Sequence, residues 1–128
     1  MDAAQTPGDW YYRTGGGTTR ALFGSANADA RFAITCYPAQ RSITLARAGT
    51  ANGSVPMRIF TEFRNRSLDA VPSTDGAPSL IATLAASDPI LDAMAFSKGR
   101  FAVETGNQEP LYLPSWPEIT RVIEDCRR

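Results

Sequence analysis

The sequence contains no histidine, and lysine occurs only once, at Lys98, among its 13 basic residues. The usual general base, the usual imidazole metal ligand and the usual switch near neutral pH are therefore missing. A Ser-His-Asp triad is excluded for the same reason. Two cysteines without a histidine do not make a zinc site. We therefore predict no metal site and no cofactor, and we predict that the protein is not an enzyme.

Net charge and long apolar runs are lacking too. The 13 basic residues balance 13 acidic ones, so we expect no nucleic-acid partner. No apolar run approaches the roughly 18 residues of a transmembrane helix. No charged-then-apolar leader opens the chain, so we expect that any signal peptide has been removed. Length and composition predict a flexible N-terminus over residues 1–8 and a single β-rich domain over residues 9–128.

Most of the chain consists of short segments in which apolar and polar residues alternate, which is typical of strands. Such segments predict strands at 10–13, 19–23, 32–36, 42–46, 57–64, 80–84, 100–104 and 111–113. Gly15-Gly16-Gly17 predicts a hairpin turn, because no G-K-[ST] lysine follows to make a phosphate loop. Residues 72–79 are dense in chain-breaking residues and predict a loop. The sum is a mainly β fold, an antiparallel sandwich or barrel, with one short internal helix and a C-terminal helix.

Both helices carry recognisable start signals. Asp88 followed by Pro89 predicts an N-cap and a proline at the first helical position, and Gly99 predicts the end of that helix. Ser115-Trp116-Pro117-Glu118 matches the S-x-x-E capping box, in which Ser115 and Glu118 would satisfy each other's backbone N–H groups.

The two cysteines are both predicted to face the core. Cys36 ends a strand whose apolar residues recur at every second position. Cys126 continues an apolar stripe on the C-terminal helix, formed by Ile119, Val122, Ile123 and Cys126. We predict a Cys36–Cys126 disulfide linking that helix to the sheet, which would place the protein in the periplasm or outside the cell. The alternative is a pair of buried free thiols.

One strand face combines arginines with an aromatic residue. On the strand predicted at 57–64, Arg58, Phe60 and Arg64 share the outer face, and Arg66 continues it. Arginine and aromatic side chains are typical interface anchors, so we predict a binding surface for an acidic or aromatic partner. The alternative is a solvated face whose charges form weak cross-strand ion pairs.

Two long segments carry a resemblance. S-D-P-I-L-D-A-M-A-F-S-K-G-R-F-A-V-E and L-Y-L-P-S-W-P-E-I-T-R-V-I-E-D-C-R, with G-D-W-Y-Y and R-F-A-I-T-C upstream, resemble a group of small uncharacterised envelope proteins of alphaproteobacteria. The resemblance implies export and a disulfide, and it implies no reaction. The order of elements is also similar, in layout, to accessory envelope proteins of type VI secretion.

We therefore predict a non-enzymatic periplasmic module that binds another envelope or exported protein. One alternative is an inhibitor of an envelope hydrolase, such as a lysozyme or protease, acting through residues 15–18 or 72–79. Another is an accessory protein of a secretion system. An enzyme that uses only carboxylates and arginine would instead need a deep pocket around Asp88, Asp92 or Glu104.

Overall fold

The computed structural model describes residues 4–26 and 28–128, in which nine strands form one antiparallel sheet. The strands are β1 (Asp9–Gly15), β2 (Thr18–Gly24), β3 (Phe32–Tyr37), β4 (Ser42–Ala48), β5 (Val55–Phe60), β6 (Asn65–Ser73), β7 (Ser79–Ala85), β8 (Arg100–Thr105) and β9 (Leu111–Pro114). Two short helices, α1 (Pro89–Phe96) and α2 (Pro117–Asp125), complete the fold. The predicted mainly β class with an internal and a C-terminal helix is confirmed.

The strand order is β1-β2-β3-β4-β7-β6-β5-β8-β9, and β6 connects the two halves of the sheet. Its first part, from Asn65 to Ala70, pairs with β5. Its last part, from Val71 to Ser73, pairs with β7. Strand β6 therefore changes partners along its length, as strands do where a sheet folds over into two layers.

The two edge strands meet, so the sheet curls back on itself. The indole Nε1 of Trp10 donates a hydrogen bond of 2.8 Å to the carbonyl oxygen of Pro114 on β9. The backbone N–H of Thr6 donates to the carbonyl oxygen of Tyr112, and the hydroxyl of Thr6 accepts a hydrogen bond from the backbone N–H of Tyr112. These bonds shield strand edges that could otherwise pair with another chain. Within the predicted flexible segment 1–8, Thr6 is therefore held by β9, while residues 1–3 lie outside the described residues.

The turn between β1 and β2 is built from glycines, as predicted. Gly16 and Gly17 have positive φ angles of 62° and 77°. A two-residue hairpin turn with both central residues in this region matches the right-handed twist of the flanking strands. Glycine adopts this conformation without the steric cost that a Cβ brings.

The C-terminal helix α2 packs on β1, β2 and β3. Its apolar stripe is buried as predicted, with Ile119 and Val122 fully inaccessible. The disulfide between Cys36 on β3 and Cys126 at the end of α2 is present, with the two Cα atoms 5.6 Å apart. Both predictions follow from simple periodicities, two for the strand and 3.6 for the helix.

The predicted N-cap of α1 is confirmed, whereas the predicted capping box of α2 is wrong. Asp88 Oδ1 accepts the backbone N–H of Ile90 at 3.0 Å. Helix α2 instead begins after Trp116, which makes no side-chain cap. The Ser115 hydroxyl donates to the Met94 carbonyl at the end of α1, 2.9 Å away. This bond between two elements takes the place of the predicted bond between Ser115 and Glu118. The Glu118 Oε1 atom is buried and has no hydrogen-bond partner among the described residues.

The strand predicted at 57–64 is wrong in its second half, because β5 ends at Phe60. The Thr61 hydroxyl accepts the backbone N–H groups of Phe63 and Arg64 at 3.1 and 3.0 Å. It also donates to the Arg64 carbonyl at 2.7 Å. A threonine side chain that bonds its own backbone in this way favours a turn over a continued strand. The chain therefore reverses over residues 61–64 and returns as β6.

Candidate functional site

The structure brings three of the four predicted binding residues together and separates the fourth. Arg58, Phe60 and Arg66 line one shallow depression of about 190 Å³. Arg58 and Phe60 point outward from β5, since Met57 and Ile59, which alternate with them along the strand, are fully buried. Arg64 lies in the turn and lines a neighbouring groove instead. The predicted single strand face is therefore two adjoining surfaces.

Arg66 is paired with a carboxylate. Its Nη1 donates to Asp88 Oδ1 at 2.6 Å, the same oxygen that caps α1. Burial by itself would raise the pKa of Asp88. The hydrogen bonds from Arg66 and the Ile90 N–H, together with the charges of Arg66 and Arg64, outweigh that effect and hold this pKa below its ordinary value. Arg66 thus serves to fix α1 against β6.

The neighbouring groove is lined by the two most exposed of the large apolar side chains among the described residues. Phe63 at the tip of the β5–β6 turn is 60% exposed, and Phe96 at the end of α1 is 64% exposed. The groove, of about 390 Å³, is lined by these two rings with Arg64, Pro89, Asp92 and Ala93. We call it the aromatic groove. Exposed apolar side chains that together line one groove are typical of recognition surfaces.

A single buried serine holds the two walls of the aromatic groove together. The Ser97 hydroxyl accepts the backbone N–H of Glu62 in the β5–β6 turn at 3.0 Å. It donates to the carbonyl of Arg100 at 2.9 Å. Ser97 directly follows Phe96 and is 4% exposed. The turn that carries Phe63 is thereby tied to the end of the helix that carries Phe96, so the groove is preformed.

Some of the charged side chains around the aromatic groove form ion pairs and others do not. Asp92 forms a two-pronged ion pair with Arg127, with N–O distances of 2.7 and 3.1 Å. Among the described residues, Arg58 and Arg64 make no ion pair. The exposed carboxylate of Glu62 lies in the same turn as Arg64. Of the two charged residues that line the groove, Asp92 is neutralised by Arg127 and Arg64 by no described residue, so the groove wall itself carries one unpaired positive charge.

Sequence reasoning missed both aromatic residues. Alternation along a strand at 57–64 would place Phe63 on the inner face, and Phe96 continues the apolar run of α1, so the sequence pattern predicts neither residue at a surface site. The residue that decides the position of Phe63 is Thr61, whose hydroxyl closes the turn. Thr61, followed by Arg64 and Asn65 three and four residues later, carries only a weak turn signal, because threonine also favours strands.

The three carboxylates that an enzyme would use, Asp88, Asp92 and Glu104, do not line a common groove: Asp92 lines the aromatic groove without the other two. Asp88 is bonded to Arg66 and Asp92 to Arg127. Glu104 stands opposite Arg58 across the β5–β8 pair, on the outward face of the sheet. A pair of carboxylates sharing one pocket is therefore not formed by these residues.

A second polar cluster joins α2 to β1. The Tyr12 hydroxyl donates to Asp125 Oδ2, and the Arg121 guanidinium lies 3.8 Å from the centre of the Tyr12 ring. The hydrogen bond to Asp125 raises the pKa of Tyr12. Asp125 lies outside the apolar stripe of α2, yet this contact joins it to the sheet. The cluster supports the docking of α2.

The disulfide is typical of exported proteins. Neither helix in the described part of the chain has the length and apolar character that crossing a membrane would require. The chain matches no protein-family model, no curated protein and no solved structure at a significant level.

Proposed function

We propose that the protein is a non-enzymatic interaction module of the bacterial cell envelope that binds another exported protein at the aromatic groove. The observation that carries the proposal is the pair of exposed rings, Phe63 and Phe96, held in place by Ser97. Aromatic side chains fixed in advance lose little conformational entropy when a partner covers them. Phenylalanine and arginine together are typical of interface centres.

The charge beside the rings indicates the chemistry of the partner. Arg64 lies in the groove, and Arg58 lies in the adjoining depression. Both guanidinium groups are exposed and lack an ion pair with any described carboxylate. A segment that places an acidic side chain next to one or two apolar ones would cover the rings and neutralise an arginine. We therefore propose an acidic, apolar segment of an exported protein as the occupant.

The envelope location is supported by the disulfide between Cys36 and Cys126. Thiol pairs persist as disulfides in oxidising compartments such as the bacterial periplasm, and they are rare in the cytosol.

The test removes the two rings and leaves the fold alone. Partners captured from envelope extract by the wild type would be identified by mass spectrometry, purified and titrated against the wild type and Phe63→Ala/Phe96→Ala. We expect the double variant to bind at least about 30-fold more weakly, since truncating an interface hot spot costs about 2 kcal/mol or more. Val71→Ala is the matched control, because Val71 is a 51% exposed apolar residue outside the groove.

Equal binding by the wild type and the double variant would remove the aromatic groove as the docking surface. Sedimentation velocity on the purified wild type tests a different occupant. A dimer that dissociates in Phe63→Ala/Phe96→Ala, but not in Val71→Ala, would show that the groove binds a second copy of this chain and would contradict the proposed partner.

A further inference from the structure

A polar cavity lies at the far end of β5 from the aromatic groove. It has a volume of about 460 Å³ and is formed between the loop that precedes β5 and the turn that follows β8. This size falls within the range of small-molecule sites. Its polar wall consists of two hydroxyl and three carboxamide side chains, those of Thr50, Asn52, Thr105, Asn107 and Gln108.

Hydrogen bonds fix the rim of this cavity. The side-chain amide of Gln108 donates to the Thr50 carbonyl at 2.9 Å, joining the two loops. Arg47, buried on β4, donates from Nη1 to the carbonyl of Glu109 at 2.6 Å. Gly49 has a φ of +155°, and a Cβ built on it would lie 2.6 Å from Gln108 Oε1. The loops are thus held in close contact, so the cavity exists without a ligand.

One polar atom inside the cavity wall has no partner. Thr105 is fully buried, and its Oγ1 makes no hydrogen bond with any described residue. Buried hydroxyl groups are nearly always hydrogen-bonded, and an unpaired one is unfavourable. Thr105 lines the cavity, so a ligand there can supply the missing bond. An unpaired hydroxyl buried in the wall of a preformed cavity is one arrangement that a bound ligand can explain.

The lining also defines the chemical class of ligand. Charged side chains are absent from the described residues that form the wall, whereas hydroxyl and carboxamide groups both donate and accept hydrogen bonds. Val55 and Leu80 add an apolar patch. A neutral group that offers one N–H, one C=O and one methyl matches all three features. We propose that this cavity binds a small neutral ligand through an acetamido group, with Thr105 Oγ1 as one of its hydrogen-bond partners.

Two sources can supply an acetamido group, an N-acetylated sugar and an N-acetylated amino acid. The first experiment is a ¹⁵N NMR titration of the full chain with N-acetylglucosamine, N-acetylalanine methylamide and glucose as separate probes. We expect saturable shifts of the backbone amides in residues 50–52 and 105–108 with one or both acetamido probes and none with glucose. The probe that binds more tightly identifies the source. Absence of saturable shifts, or equal shifts with glucose, would overturn the proposal.

The second experiment removes the unpaired hydroxyl. Thr105→Val keeps the shape of the side chain, and we expect it to weaken binding of the acetamido probe at least tenfold, while Thr105→Ser keeps binding. Thr83→Val, on the exposed face of β7, is the matched control. If Thr105→Val does not fold, Asn107→Ala in the exposed turn takes its place, with the same expected loss. Wild-type affinity in the variant tested would refute the assignment.

This cavity is independent of the aromatic groove. Val55 at one end of β5 lines the cavity, while Phe63 follows the other end of the strand. Phe63→Ala/Phe96→Ala is therefore expected to bind the acetamido probe like the wild type. Loss of probe binding in that double variant would contradict the placement of the site.

Discussion

Removing the disulfide between Cys36 and Cys126 should lower stability more than any other single change considered for this chain. The two residues are 90 positions apart, so the bond closes most of the chain into one loop in the unfolded state. In the chain-entropy relation, closing a loop of this length removes about 15.5 cal/mol/K of conformational entropy from the unfolded chain. At 25 °C this corresponds to about 4.6 kcal/mol of folding stability. For a chain of this size the melting temperature should fall on the order of 15–20 °C.

Helix α2 does not have enough stability of its own to offset this loss. It spans nine residues, and helices shorter than about 12–15 residues are marginal in water. Without the bond it is held by its buried stripe, Ile119, Val122 and Ile123, and by the contact between Tyr12 and Asp125. These contacts act only in the folded state, so they do not replace the constraint on the unfolded chain.

The assay is urea unfolding of the oxidised wild type, the reduced wild type and Cys36→Ala/Cys126→Ala, followed by circular dichroism. The reduced wild type keeps both cysteine side chains, so the difference between oxidised and reduced protein measures the effect of the disulfide bond alone. The alanine variant also loses the packing of the two sulfur atoms. A difference in unfolding free energy below about 1 kcal/mol between oxidised and reduced protein would refute the chain-entropy reasoning. Intact mass after alkylation gives the control: we expect no alkylation before reduction and two alkylated thiols after it.

Three further changes test individual contacts by urea unfolding. Asp88→Asn keeps a cap on α1 but loses the ion pair with Arg66. Because the pKa of Asp88 is lower in the folded than in the unfolded state, the ionised carboxylate stabilises the fold. This stabilisation is fully present above the unfolded pKa of 3.8 and is lost as the pH falls through the folded pKa. The stability difference from wild type should therefore be constant near neutral pH and shrink below about pH 4; a difference that does not change with pH would contradict this. Trp10→Phe should cost about 1–3 kcal/mol, since it leaves the Pro114 carbonyl unpaired, and no loss would mean that this bond is not formed. Thr105→Val should raise stability by about 1–3 kcal/mol, because it removes a buried hydroxyl without a partner; lower stability would argue that this hydroxyl is satisfied.

The predictions from sequence that hold are those carried by a local periodicity. Alternation along residues 32–36 placed Phe32, Ile34 and Cys36 on one buried face. The helical stripe ending at Cys126 placed the second cysteine inward. Each pattern lies within one helix or strand, and the spacing of its apolar residues indicates which face is buried. The disulfide then follows because the protein has only two cysteines to pair.

The predictions that fail are those in which a side chain takes a partner from another element. Ser115 has the sequence context of a helix cap, but its hydroxyl bonds the end of α1 instead. Strand order is equally non-local: β4 pairs with β7 rather than with β5. Neither partner is close in sequence, so propensity and periodicity do not contain the information. The aromatic groove depends on the same kind of contact, between the β5–β6 turn and α1.

The position of both proposed sites follows from how the inside of the sheet is filled. Large side chains such as Phe23, Phe32 and Phe101 are fully buried there, and a close-packed interior leaves no room for a ligand. Any ligand must therefore bind at the loops, turns and helices outside the sheet, which is where most residues of both proposed sites lie. Strand β5 lies between β6 and β8, and its two ends lead to the two candidate sites. Strand β5, which is paired on both sides, therefore has the aromatic groove at one end and the polar cavity at the other, so the two proposed ligands would not compete for the same surface.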